Sequence, residues 1–314
     1  MLTRRHIRVK VMQSLYSIEQ TQSDNLVKEE KFLLFSIDQM YELFLINLQL
    51  LVEIRKHAAD LLDISKKKYL PTSEEKNPNT KFINNEVLLL LEKNILLKEE
   101  MDKKRLNCWE LDGEYVAILW KEIRESDQYK SYMSTKFSAF REDKDFIIEI
   151  FKEIIAPNEK LYDYIEDKKL TWVDDLPLVN TSIIKMLRKL KESHTENMSL
   201  PKLYKDVEDK KFAIDIFKKT TLNGVEFTKE IDGRTPNWDQ DRIAELDKAI
   251  IKMAICEFVK FPSIPVKVTI NEYLEIAKEY STPKSSIFIN GILDKISKEY
   301  KENGKLNKVG RGLM

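Results

Sequence analysis

Apolar positions recur every three to four residues through most of this chain, the period of a helix with one buried face. The pattern is sharpest over 239–296. Ile243, Leu246, Ile250, Met253 and Ala254 share a face there, and the stripe stops at Phe261-Pro262. Ile264-Pro265 makes a second break, because a residue before proline is pushed out of the α region. A new stripe follows in Val268, Tyr273, Leu274 and Ala277. It ends at Ser281-Thr282-Pro283, and Ile287, Phe288, Ile292 and Ile296 continue beyond. Three helices are predicted, with Ser281 or Thr282 capping the last. Asn290-Gly291 falls inside that last period, so it predicts a helix whose glycine faces a close neighbour rather than a hairpin.

The chain start is patterned in the same way. Thr3 is the expected N-cap of a helix running to about Gln20, with Ile7, Val11, Leu15 and Ile18 on one face and Val9, Met12 and Tyr16 on a looser strip. Arg5, His6, Lys10 and Gln13 lie outside the main strip, Arg4 and Arg8 at its edge, and no acid appears before Glu19. A solvated basic face accounts for this. So does a phosphate-tracking surface, since arginine forks grip phosphate oxygens and a ring such as Tyr16 or His6 stacks on an unpaired base.

Residues 27–64 predict one or two long helices, striped by Leu43, Ile46, Leu50 and Ile54, that pack on the first helix and carry no chemistry. Pro71 and Asn77-Pro78 punctuate 66–86 as an exposed loop, in which Lys66 to Lys68 read as a helix-end dipole partner or a phosphate contact. Helical pattern returns over 86–140, with Trp109, Tyr115, Leu119 and Trp120 as expected core. Residues 192–202 read as a linker, and the tail from Lys301 as a frayed basic extension. Phe146 to Lys152 is echoed by Phe212 to Lys218 at an offset of 66, and Trp172 by Trp238. A duplicated helical unit or two similar packing environments would produce this.

Composition narrows the class. Only 7 glycines and 9 prolines in 314 residues favour an all-α fold over a sandwich or barrel. With 53 basic and 53 acidic residues there is no global basic field, so a nucleic-acid surface must come from local clustering. Cys108 and Cys256 form no CxxC pair, and three histidines make no ligand cluster. Two reduced thiols in a cytoplasmic protein without a metal site are expected. Arg4, Arg5, Arg8 and Lys10 interrupt the first 20 residues, against a signal peptide, and Val87 to Leu97 is broken by Glu92, Lys93 and Asn94, against a membrane span. There is no GxGxxG, P-loop or GxSxG, and Asp145, Glu149 and Glu153 are spaced as helix-surface ion-pair partners. Neither an enzyme nor a cofactor is expected.

Several phrases taken together resemble one family. They are Arg242-Ile243, Asp247 to Ile251, Ala254 with Glu257, Pro265 to Val268, Ile270-Asn271-Glu272, Leu274 to Lys278, and Ser285 with Phe288-Ile289-Asn290-Gly291 through Leu293-Asp294. In this order they resemble the C-terminal half of the bacterial transcription antitermination factor NusB, and Arg4-Arg5 through Gln13-Ser14-Leu15-Tyr16 resembles that family's first helix. The resemblance implies a pair of small helical bundles, with 1–60 and 202–300 as the NusB-like parts, 61–201 as an inserted helical region and 301–314 as a flexible tail. It implies a non-enzymatic antitermination factor that binds boxA RNA of ribosomal RNA transcripts together with NusE, a small-subunit ribosomal protein, in an RNA polymerase antitermination complex. Arg4, Arg5, Arg8, Tyr16, Lys284, Ser285 and Phe288 are the implied RNA contacts. A helix starting near Arg242 is the implied partner face, with Asp247 and Glu257 as docking points for a basic protein. A homodimer is compatible with the family. A helical interaction scaffold without RNA binding is the competing reading.

Overall fold

The computed structural model describes residues 1–67, 69, 72, 76–234 and 243–313, with the side chain of Arg311 left aside. Lys68, Pro71, Trp238 and Arg242, each used in the sequence reading, lie outside the described residues. All regular structure among the described residues is helical. The chain folds as two compact units, one of Asp38–Lys202 with Met1, the other of Leu2–Ile37 and Leu203–Met314.

Helix α1 runs Arg4–Thr21, with Thr3 as its N-cap. Thr3 Oγ1 accepts from the His6 backbone N–H, and the Thr3 N–H donates back to His6 Nδ1 at 3.1 Å. Histidine here plays the part that Glu or Gln plays in the usual capping box. Helix α2 is a single element, Leu26–Lys66. It gives Leu26–Ile37 to one unit and the remainder to the other.

In the unit built on Asp38–Lys202, α2 is followed by α3 (Glu86–Lys93), α4 (Ile95–Lys104), α5 (Cys108–Leu111), α6 (Gly113–Glu125), α7 (Asp127–Tyr132), α8 (Phe140–Ile150), α9 (Glu159–Lys168) and α10 (Leu176–Lys189). Helix α8 passes into one π-helical turn, Phe151–Ile155. Trp109, Leu119 and Trp120 are buried as expected, while Tyr115 is half-buried. Phe82, Trp120, Tyr129, Tyr132 and Phe146 form one aromatic cluster; the Tyr132 and Phe146 rings stack with centroids 4.0 Å apart. The expected linker 192–202 is anchored, because Asn94 Nδ2 donates to the Glu196 and Met198 carbonyls. A segment whose backbone is bonded by a buried amide and which buries Met198 and Leu200 is held in place rather than loose.

The other unit carries α11 (Val207–Leu222), α12 (Gly224–Asp232), α13 (Glu245–Lys260), α14 (Val266–Tyr280) and α15 (Ser285–Glu302). Helix α13 is its centre: Ala249 through Phe258 are buried apart from Lys252, and α1, α11, α12, α14 and α15 all pack on it. Helix α1 packs on α11 and α13. The breaks at Phe261-Pro262 and Ser281-Pro283 fall where the sequence puts them. Two details differ. The buried face of α14 is Thr269, Tyr273, Ile276 and Ala277, with Val268 outside, and Ile287 on α15 faces solvent. Neither Ser281 nor Thr282 caps α15 through its side chain. Ser281 Oγ donates to Asp247 Oδ1 at 2.6 Å, and Thr282 Oγ1 pairs with the Ser285 hydroxyl.

Gly291 lies within α15 as expected, but a Cβ there would meet nothing within 4 Å, so no close neighbour requires glycine. An exposed mid-helix glycine costs backbone entropy without return. Gly291→Ala is therefore expected to stabilise the protein by about 0.5–1 kcal/mol, read as a raised urea midpoint at unchanged slope.

The echoed segments bury the same positions. Phe146, Ile147, Ile150 and Phe151 are buried in the first copy, and Phe212, Ala213, Ile216 and Phe217 in the second. The repeated spacing thus corresponds to a repeated packing face.

The tail is docked rather than frayed. The Val309 N–H donates to the Pro262 carbonyl at 3.0 Å, and Lys308 Nζ donates to the carbonyls of Glu257 and Phe261 at 3.2 and 3.0 Å. A lysine at the carboxyl end of a helix satisfies orphan carbonyls and complements the helix dipole, which is what Lys308 does for α13. Burial pulls the Lys308 pKa below its ordinary value, with Glu257 opposing. At Gly312 a Cβ would sit 1.9 Å from the Pro262 carbonyl oxygen, so only glycine allows this approach.

Candidate nucleic-acid interface on the first helix

Helix α1 presents its arginines to three carboxylates, all far away in sequence. Arg4 Nε donates to Asp209 Oδ1 at 3.2 Å. Arg5 grips Glu272 with both Nε and Nη2, at 3.0 and 2.8 Å. Arg8 Nε and Nη2 donate to Glu257 Oε2 and Oε1, each at 2.8 Å, and its Nη1 stands 3.7 Å from Glu272. Both bidentate pairs have the fork-to-fork geometry that makes arginine–carboxylate contacts strong and directional.

Burial separates these arginines into two kinds. The Arg4 and Arg5 side chains remain 45% and 40% exposed. The Arg8 and Glu257 side chains are 3% and 0% exposed. Arg8 lies against the Phe212 and Tyr273 rings, 5.1 and 5.7 Å from their centroids, and Glu257 also accepts from Thr269 Oγ1 at 2.6 Å and from the Tyr273 hydroxyl at 3.3 Å. Burial alone would lower the Arg8 pKa, but the charge and hydrogen bonds of Glu257 outweigh it and raise the value, so Arg8 stays charged. A buried ion with every neighbour answering it is the condition under which such a pair persists.

Between the start of α1 and the α13–α14 turn lies an open groove of about 710 Å³. Arg4, Arg5 and His6 form one wall and Ile264, Pro265 and Val268 the other, with Glu272 at the base of the arginine side. The docked tail touches this turn through Pro262, next to the groove wall. Arg5 is held above its ordinary pKa chiefly by the hydrogen bonds to Glu272. Beyond the bonds to Asp209 and Glu272, Arg4 keeps Nη1 and Nη2, and Arg5 keeps Nη1, without a hydrogen-bond partner among the described residues.

Tyr16 is 39% exposed on α1, about 12 Å along the axis from Arg8. Lys284 is exposed just ahead of α15, Ser285 is buried with its hydroxyl against Ser281 and Thr282, and Phe288 is half-buried. Asp247 and Glu257, expected as docking points for a basic protein, are both buried; Asp247 is held by Ser281, and Glu257 by Arg8, Thr269 and Tyr273. A docking acid must offer its carboxylate to solvent, and neither does. One residue expected to meet RNA and one expected to meet a protein thus form a single internal ion pair.

Among known proteins, the NusB family model matches residues 179–298. The transcription antitermination protein NusB of Salinibacter ruber is 40% identical over 112 residues, 36% of this chain and 70% of that protein. The chain belongs to the NusB family. The NusB proteins of Chloroherpeton thalassium and Koribacter versatilis are 42% and 41% identical over 109 and 97 residues, which are 52% and 66% of those proteins and 35% and 30% of this chain. A solved T. maritima NusB aligns over 46% of this chain and 89% of that chain at 26% identity and a TM-score of 0.30. Membership makes this an antitermination factor and not an enzyme, and it is an enlarged member of the NusB family. The matched residues include α13, α14 and the acids that hold the arginines, whereas α1 lies outside them. No described helix is long and apolar enough to cross a membrane.

Proposed function

We propose that the protein binds boxA-type single-stranded RNA in ribosomal RNA transcripts, together with NusE, as part of an RNA polymerase antitermination complex. The observation that carries this reading is the pair of half-exposed arginines, Arg4 and Arg5, with free guanidinium N–H groups beside an open groove whose far wall is apolar. Phosphates engage the free N–H groups, and an unstacked base rests on Ile264, Pro265 or Val268. Arg8 is a positioning residue in this scheme. Locked to Glu257, it fixes the rotation of α1 about its axis and so the direction in which Arg4 and Arg5 point. Tyr16, Lys284 and Phe288 extend the RNA surface beyond the groove.

The test is a fluorescence-anisotropy titration with a boxA RNA and a scrambled RNA, with and without NusE. Tighter binding to boxA, strengthened by NusE, is expected. Arg4→Ala/Arg5→Ala should lower affinity at least about tenfold and flatten the slope of log K against log salt by about 1.4, two phosphates at roughly 0.7 each for a single strand. Equal affinity for the two RNAs, unaffected by both substitutions, would refute the boxA reading and favour a protein-interaction scaffold.

A further inference from the structure

The sequence assigns no chemistry to the start of α2, yet the structure leaves an unusual face there. Val27, Phe32 and Phe35 are 61%, 44% and 53% exposed. Lys28 and Lys31 are exposed beside them. Residues three and four apart share a helix face, so Lys28, Lys31, Phe32 and Phe35 form one continuous strip about 10 Å long. Core-facing Leu33 and Ile37 lie on the opposite side, fully buried, which fixes the rotation of the helix and means the two rings cannot turn inward.

The charges around this strip point to its occupant. Neither lysine has a salt-bridge partner among the described residues. Of the two acids in this part of α2, Glu30 pairs with Lys218 at 2.8 Å, and Glu29, which accepts from the Ser23 hydroxyl at 2.8 Å, points about 100° round the helix from Lys28. Two exposed rings flanked by two cations that form no salt bridge among the described residues, with no carboxylate on the strip between them, suit a flexible polyanion that carries its own rings. An apolar protein surface would strand both ammonium groups on docking, at a desolvation cost with no return.

We propose that the solvent face of α2 from Val27 to Phe35 is a second contact for single-stranded RNA, where Phe32 and Phe35 stack on successive bases and Lys28 and Lys31 meet the backbone. Stacking is sequence-tolerant because every base has a π-face, so this surface binds RNA without reading it. It extends the RNA reading given above to a separate surface and does not require that boxA be the sequence bound.

The experiment uses the full chain and a fluorescein-labelled oligouridylate of about 20 nucleotides, titrated by anisotropy from about 50 to about 200 mM KCl. Phe32→Leu/Phe35→Leu keeps apolar bulk and removes the rings; it should weaken binding about tenfold or more. Lys28→Ala/Lys31→Ala should reduce the salt slope by about 1.4. Both effects should persist in the Arg4→Ala/Arg5→Ala background, and all variants should keep the wild-type circular dichroism spectrum. If the α2 variants weaken oligouridylate binding while boxA shows no preference over scrambled RNA, the boxA reading fails and this inference stands. The inference is overturned if both α2 variants bind like wild type, or if the wild type does not bind oligouridylate. It is also overturned if Phe32→Leu/Phe35→Leu changes only the sedimentation from dimer to monomer, which would mark the face as a contact between two copies.

Discussion

Glu257→Ala is expected to destabilise the protein by about 3–5 kcal/mol, the range for removing one partner of a buried ion pair. The carboxylate receives two hydrogen bonds from Arg8, one from Thr269 and one from Tyr273, inside a region closed to water. Its loss leaves a guanidinium that cannot shed its proton, because arginine stays charged at any ordinary pH. It also leaves two hydroxyls to find new partners. Most of the cost is the stranded charge, and that makes a second variant informative. Arg8→Met/Glu257→Met removes both charges and retains volume, so it should recover most of the loss. Urea unfolding followed by circular dichroism reads both variants. A double variant no more stable than Glu257→Ala would show that shape and hydroxyl bonding, not charge compensation, dominate the site.

The second large effect is expected in the other unit. Asp143 is buried and accepts from the Tyr132 hydroxyl, the Ser138 hydroxyl and the Glu86 N–H, the last at 2.7 Å. Through these bonds one carboxylate ties the start of α3 to the end of α7 and the start of α8. Lys81 completes the corner by donating to the Tyr132 carbonyl at 2.7 Å with its ammonium over the Tyr132 ring. Asp143→Ala should cost about 2–4 kcal/mol, since it leaves the buried Tyr132 phenol and the part-buried Glu86 N–H without an acceptor, each worth up to about 1–3 kcal/mol. Asp143→Asn keeps one acceptor and should cost less. Tyr132 offers a second readout: burial first, then the Asp143 hydrogen bond, pushes its phenol above the ordinary value. A spectrophotometric titration should therefore show one tyrosine ionising at lower pH in Asp143→Ala than in the native protein. An unchanged titration and unchanged urea midpoint would remove Asp143 from this role.

Helix positions were legible where the signal is local. Thr3 as the cap of α1, the proline breaks flanking α14 and the long proline-free run of α2 all follow from rules that act within a few residues. Periodicity also located most of the core, but it misjudged Val268 and Ile287. An apolar residue at the edge of a stripe points either way, and at α14 the bonds of Thr269 and Tyr273 to Glu257 set the rotation. The same ambiguity hid the role of Arg8. It sits at the edge of the α1 stripe, and nothing within a helical turn of it indicates that its partner is 249 residues away. The tail was illegible for a similar reason, since glycine and lysine spell flexibility until a specific carbonyl and a specific helix end are opposite them. On α2 the sequence shows Phe32 and Phe35 among many apolar residues, and only the fold reveals that these two stay outside.

The partners of α1 set an order of events during synthesis. Arg4, Arg5 and Arg8 meet acids that are 205, 267 and 249 residues further along the chain. At about 5–20 residues per second a ribosome needs roughly 10–50 s to deliver them. For that interval the arginines of the first helix stay unanswered, and the stretch from Asp38 to Lys202 is complete before any of the three acids has been made. The unit that holds the groove therefore closes only after Glu272 has been made, and a nascent chain stalled before Glu257 would display a bare basic helix to whatever RNA is nearby.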